Sequence, residues 1–221
     1  MTSPIDLFKA RFDHIMERAQ HFAIYVRGRE FQEMGKTEIE ALLDECRINK
    51  DKAISSGIEN EANAFLAFEF MTRALIEEFK FCLALKDDDP DSAWDHLVDA
   101  QNHATSAMKS HAVAGNLNEY IRRLDSLEKS LFPQSIFLSP GYIVKESKCS
   151  ICGTPYGECD HIKGHPDMGQ LCSRIVTEAI LREASVVCDP ASKHCRLLKF
   201  EENGVWRNAF TYRVVKEDIE P

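Results

Sequence analysis

The sequence has no apolar run approaching the ~18–20 residues that a membrane-spanning helix needs, so a membrane partner is not expected. It has no basic stripe either. Lys and Arg number 18 against 25 Asp and Glu in residues 1–148, and 9 against 11 in residues 149–221, which leaves both parts acidic and the chain at −9. Phosphate-driven binding therefore lacks its usual electrostatic footprint, and nucleic acid is not the expected partner. No glycine-rich phosphate loop is present. The opening stretch, MTSPIDLFKARF, lacks the basic-then-apolar layout of a secretory signal. The expected location is thus cytoplasmic, where the eight cysteines would be reduced and better suited to a metal than to disulfides.

What the chain does have, up to about residue 132, is helical periodicity. Ser3-Pro4-Ile5-Asp6 reads as a cap, a first-turn proline and a first-turn acid. Leu7, Phe8, Phe12, Ile15, Met16, Ala19, Phe22, Ala23 and Val26 follow at helical spacing. Thr37 and Glu40 form a capping box ahead of Ile39, Leu42, Leu43 and Cys46. A long stripe runs from Phe65 through Phe68, Thr72, Leu75, Ile76 and Phe79 to Cys82 and Leu83. DDDPD then breaks the chain, with Asp89 as the next cap and Pro90 at the first helical position. Trp94, Leu97, Gln101, Ala104, Met108 and His111 mark one further face, and Leu117, Tyr120, Ile121, Leu124, Leu127 and Leu131 another. Single apolar stripes on successive helices predict an antiparallel bundle. Phe70 and Phe81 fall off the main stripe of the 62–85 helix. That is what a self-associating bundle needs, and equally what a central helix covered on all sides by its own chain needs.

Near Phe132-Pro133 the pattern turns to β. SIFLSPGYIVKE reads as strand with Pro140-Gly141 as a turn, and CRLLKFEENGVWRNAFTYRVV as a hairpin around Asn203-Gly204. The expected fold class is α+β, with a helical bundle over residues 1–135 and a small β module over 136–221. A β module this small often needs a staple, and a metal can supply one.

The stretch KCSICGTPYGECDHIKGHPDMGQLC names the staple. Cys149-x2-Cys152 is a knuckle whose thiolates can grip one ion. Cys159-x-His161 adds a thiolate and an imidazole, completing the four ligands of a closed, structural Zn2+ site. Gly153, Gly157 and Gly164 suit the tight turns around it. Cys172 and His165 are the alternate ligands, with Cys172 otherwise a buried thiol on the following strand. Cys188, Cys195 and His194 offer too few partners for a second site and read as small buried residues, and Cys46 and Cys82 fall on apolar helical stripes. Isolated His96, His103 and His111 read as surface or satisfied core residues.

Over residues 138–200 the string LSPGYIVKESKCSICGTPYGECDHIKGHPDMGQLCSRIV, followed by EASVVCDPASKHCRLLKF, resembles a CxxC…CxH…C zinc-binding module found in uncharacterised bacterial and phage proteins. The resemblance implies a zinc-bearing β module of no assigned activity, working in a bacterial or phage-related system such as defence. The helical part carries no resemblance.

Two functions of different kind fit these residues. The first is a binding or assembly protein with a structural zinc, its protein partner or second copy meeting the helical part. The alternative is a metal-dependent hydrolase, because ECDHI echoes the start of an HNH nuclease site, with Asp160 and His161 as its chemistry. Against it, the asparagine and the later helical histidine of such a site are missing, and His161 does not readily serve as both zinc ligand and general base. Arg11–His14 and Arg18–His21 also stand too close together for the paired residues of a bundle-type ribonuclease.

Overall fold

The computed structural model describes residues 4–215, so the Ser3 cap lies outside the described residues. The periodic segments form five helices: α1 (Pro4–Tyr25), α2 (Arg29–Ser55), α3 (Glu59–Lys86), α4 (Pro90–Ser110) and α5 (Asn118–Leu131). Short connections turn each helix back on the one before, which gives the antiparallel bundle its periodicity predicts. Asp89 caps α4 as its position implies: its carboxylate accepts from the Ser92 amide at 3.1 Å and from the Ser92 hydroxyl at 2.6 Å, with Pro90 in the first turn. The Thr37–Glu40 capping box is not a helix start. α2 begins eight residues earlier at Arg29, after the extended Gly28, and Thr37 sits inside it with its hydroxyl donating back to the Glu33 carbonyl at 3.0 Å. A mid-helix threonine can add a hydroxyl bond to the carbonyl four residues back, so the motif alone does not mark an end.

α3 is the axis of the bundle. Phe65, Phe68, Leu75 and Phe79 pack with Phe12 of α1 and Ile39, Leu42 and Cys46 of α2. Its other side, through Phe81, enters a second core with Trp94, Leu97 and Val98 of α4 and Leu124 of α5. Phe70 is half-buried with its ring stacked on His103 of α4, centroids 5.9 Å apart. The two off-stripe phenylalanines are thus covered by their own chain. Two carboxylates are buried with them. Glu69 is held by Lys50 at 2.6 Å and Arg73 at 2.7 Å, and Glu78 takes both forks of Arg123 at 2.7 and 2.8 Å.

The second part is built of two-stranded pieces. β1 (Phe137–Cys149) and β4 (Arg174–Val187) pair antiparallel into a long ribbon. β2 (Pro166–Asp167) and β3 (Gln170–Leu171) form a tiny hairpin, and β5 (Lys199–Glu202) and β6 (Val205–Asn208) another. The latter turns at Asn203-Gly204, both with positive φ (53° and 77°), the backbone of a primed two-residue turn. Pro140-Gly141, in contrast, is not a turn. Both lie within β1, opposite Ala184 and Glu183, beside a bulge. The proline's missing N–H is tolerated because β1 is an edge strand there. Gly141 gives the Glu183 side chain room: a Cβ would lie 2.9 Å from Glu183 Cγ.

The two parts share one core. Phe132, Phe137 and Phe210 pack around Trp94, and the Trp94 indole donates to the Lys193 carbonyl at 2.9 Å. Arg196, buried, pairs with Asp91, whose other oxygen accepts from Asn208 at 2.7 Å. No helix among the described residues is long and apolar enough to cross a membrane.

Candidate metal centre

β1 delivers Cys149 at its last residue, and a tight loop brings Cys152 back over it. The Cys149 amide donates to the Thr154 carbonyl at 2.9 Å and the Gly153 amide to the Cys149 carbonyl at 3.0 Å. Gly153 closes this loop at φ +73°, where a Cβ would be strained. Gly157 and Gly164, at +103° and +83°, meet the same need in the next turns. The Tyr156 amide donates to the Ser147 carbonyl at 2.9 Å, laying the 155–161 segment back across the knuckle and setting Cys159 and His161 opposite the first pair.

The result is one cluster. The ligand atoms of Cys149, Cys152, Cys159 and His161 all lie within 4.8 Å of one another, and no other group of three or more such residues converges among the described residues. A tetrahedral ion bonded to sulfur at about 2.3 Å and to nitrogen at about 2.0–2.1 Å would draw these atoms in to about 3.5–3.8 Å of one another. Around the sulfurs the backbone offers positive dipoles. The Ile151 amide donates to Cys149 Sγ at 3.4 Å. The Thr154 hydroxyl is 3.0 Å from Cys152 Sγ and, with the Thr154 amide, lowers the Cys152 pKa to about 6. The Cys149 thiol is lowered too, chiefly by the Cys152 amide. Cys159 goes the other way: the His161 amide lowers it, but desolvation and the adjoining Cys152 outweigh that. Several sulfurs held this close repel one another as thiolates unless a cation lies between them.

His161 gives the sharpest sign of what belongs there. Its Nε2–H donates to Asp167 Oδ2 at 2.7 Å, and its Nδ1 is buried with no hydrogen-bond partner. A ring nitrogen left free beside three cysteines, with the other fixed by a carboxylate, is the arrangement of a metal-ligating histidine and its supporting acid. The cysteine spacing did not point to Asp167. It reaches His161 because β2 and β3 fold over through Met168 and Gly169, both at positive φ (43° and 76°).

The remaining candidates lie at different distances from the cluster. Cys172 is buried against it, with Sγ 3.9 Å from Cys149 Sγ, and burial followed by contact with Cys149 raises its pKa, so it keeps its place as the alternate sulfur ligand. His165 is exposed and outside the group. Cys188 and Cys195 are exposed rather than buried, since β4 ends and the chain loops outward there, and His194 reaches instead to Asp95 and Asp99 of α4 at 3.4 and 3.1 Å. Cys46 is fully buried against Thr72, its thiol pushed up to about 12 by burial. Of His96, His103 and His111, two have hydrogen-bond partners, His96 meeting Glu77 at 2.7 Å and His111 accepting from the Val113 amide at 3.1 Å, and His103 stacks on Phe70.

Asp160 is exposed, and the carboxylate beside His161 is Asp167 instead. From His161 to Ala191 the chain is strand and turn with no helix, so the helical element of an HNH site is absent from these residues. Comparison of the chain with protein-family models, with curated proteins and with solved structures finds no match.

Proposed function

We propose that the chain is a zinc-containing binding or assembly protein, in which one Zn2+ is held by Cys149, Cys152, Cys159 and His161 as a structural staple of the β part. The single observation carrying this is the pairing of a buried, unpartnered His161 Nδ1 with three converging sulfurs. Three thiolates and one imidazole fill a tetrahedron and leave no open position for an activated water, which favours a structural over a hydrolytic role. The eight cysteines, all free thiols, fit a reducing compartment, and the cytoplasm is the location we assign. The likeness of residues 138–200 to the bacterial and phage zinc module supports a role in such a system, defence included. A protein partner or a second copy, rather than nucleic acid, fits the net charge of −9.

Elemental analysis of protein purified without chelator tests the reading. The expected result is about one zinc per chain, with X-ray absorption giving three sulfurs and one nitrogen in its inner shell. Metal-free folded protein, or an inner shell containing water oxygen, overturns it.

A further inference from the structure

Five donors meet where a tetrahedral ion takes four. Cys149, Cys152, Cys159 and His161 make up the cluster, and the sulfur of Cys172 is left over. That sulfur lies 3.9 Å from Cys149 Sγ, and the two residues are only 3% and 1% exposed. Cys152, by contrast, is open to solvent.

The backbone holds the buried pair side by side. Cys149 ends β1 opposite Arg174, the first residue of β4. One step beyond, the Ser150 amide donates to the Ser173 carbonyl at 3.0 Å and the Ser173 amide to the Ser150 hydroxyl at 2.8 Å. Cys172 comes next and so lies diagonally across from Cys149, where side chains of one face meet. It is fixed from behind as well: its amide donates to the His165 carbonyl at 2.9 Å, and its carbonyl accepts from the Gly164 amide at 2.8 Å. Bonded sulfurs stand about 2.05 Å apart, so a side-chain movement of roughly 2 Å joins this pair with both strands in place.

We propose that Cys172 is the latch of a peroxide-sensitive switch, in which oxidation bonds it to Cys149 and takes Cys149 off the ion. The switch rests on the zinc reading above. It starts at exposed Cys152, whose thiolate attacks hydrogen peroxide. An S–O bond forms, the O–O bond breaks and hydroxide leaves, so the sulfur gives up two electrons and the peroxide takes them. The Cys149 thiolate, within 4.8 Å, then attacks the sulfenic sulfur of Cys152; an S–S bond forms, the S–O bond breaks and a second hydroxide leaves. Hydroxide takes the Cys172 proton as water. The Cys172 thiolate attacks Cys149 and displaces Cys152, which returns as thiolate. Two thiols and one peroxide thus give one disulfide and two waters. The exchange ends on the buried pair because solvent thiols reach a bond to exposed Cys152 and are kept from one between Cys149 and Cys172. Cys152, Cys159 and His161 are then three ligands where a closed site needs four, and their hold on the ion weakens. The new bond staples the end of the ribbon in its place.

The test uses full-length protein carrying Cys188→Ser and Cys195→Ser, which removes the exposed thiols outside the site. Zinc content is measured first. A folded chain without zinc fails the zinc reading alone, because the sulfur pair is read by disulfide mapping with or without metal. After hydrogen peroxide, peptide mapping should find Cys149 bonded to Cys172, and the ion should be lost in step with two thiols per chain. Reduced glutathione should then restore zinc binding at least ~10-fold more slowly than in the same protein with Cys172→Ala, whose disulfide ends on exposed Cys152. Before peroxide, Cys172→Ala should load zinc as its parent does. Absence of a Cys149–Cys172 bond in the parent overturns the proposal without any variant. So does equal recovery of parent and variant, or a folded Cys172→Ala chain that takes up no zinc.

Discussion

Asp167 does for the candidate metal centre what none of its four clustered residues does by itself. Its carboxylate takes the Nε2 proton of His161 and thereby fixes both the tautomer and the ring plane that leave Nδ1 free. A neutral amide there can still accept that proton but adds no negative charge behind the imidazole. Asp167→Asn should lower zinc affinity about 10–100-fold while leaving a folded, zinc-binding chain. Competition against a chromophoric chelator reads this directly, and an unchanged affinity would show that Asp167 is only a surface neighbour. The gathering of Cys149, Cys152, Cys159 and His161 into one cluster was legible from the sequence, because knuckle spacing is a local property: Cys149 and Cys152 are brought together by one turn that Gly153 permits. Asp167 was not legible, since its contact depends on a hairpin folding over through Met168, a residue with no sequence preference for the positive φ it adopts. The exposure of Cys188 and Cys195 was equally hidden, because a cysteine's ordinary preference for burial says nothing about where a strand ends.

At the scale of elements, α3 shows how a helix apolar on most sides is read. Stripe counting found its main face, and Phe81 and Phe70 posed the question of what covers the rest. The answer is α4 and α5, with the second core running on to Phe132 and Phe137. Periodicity alone leaves this open because it does not distinguish a neighbour in the same chain from one in another. It also conceals buried charge. Glu78 is 1% exposed, and its two oxygens meet the two amino groups of Arg123 on α5. Neither residue stands out in a sequence where acids are common. Removing the carboxylate leaves a guanidinium more than half enclosed and unpaired, so Glu78→Ala should destabilise the fold by about 3 kcal/mol. Arg123→Ala should cost a similar amount, and the double variant clearly less than the sum. Urea unfolding of the four proteins measures this, and strict additivity would mean that the pair contributes nothing as a pair. The Pro140-Gly141 turn failed for a related reason: the dipeptide is a turn signal only where the chain is free to reverse, and here β4 holds it extended through Ala184 and Glu183.

The whole molecule joins its two parts at opposite ends of α3, by unequal means. At one end, Trp94 sits among Phe132, Phe137 and Phe210 in a core that owes nothing to a metal. At the other, the β2–β3 hairpin meets the bundle through Gly169, whose amide donates to Asn63 of α3 at 2.8 Å and whose missing Cβ leaves room for Lys50 and Ile54 of α2. Between the knuckle and that hairpin, residues 149–172 bury few large apolar side chains besides the two cysteines, Cys149 and Cys172. Their order depends on turns, hydrogen bonds and the four ligands, so this is where binding of an ion becomes folding free energy. Stripping the metal with a strong chelator should release amide protection across 149–173 and at Gly169, while α3, α4 and the strand ends at 137–139 and 185–187 keep theirs. Circular dichroism should lose little helix, and emission from Trp94 should hold its wavelength. If protection instead collapses in the helices at the same chelator concentration, the ion stabilises the entire fold. The knuckle would then be no local staple but part of one cooperative unit, in which the Asn63–Gly169 contact passes loss of the ion on to α3.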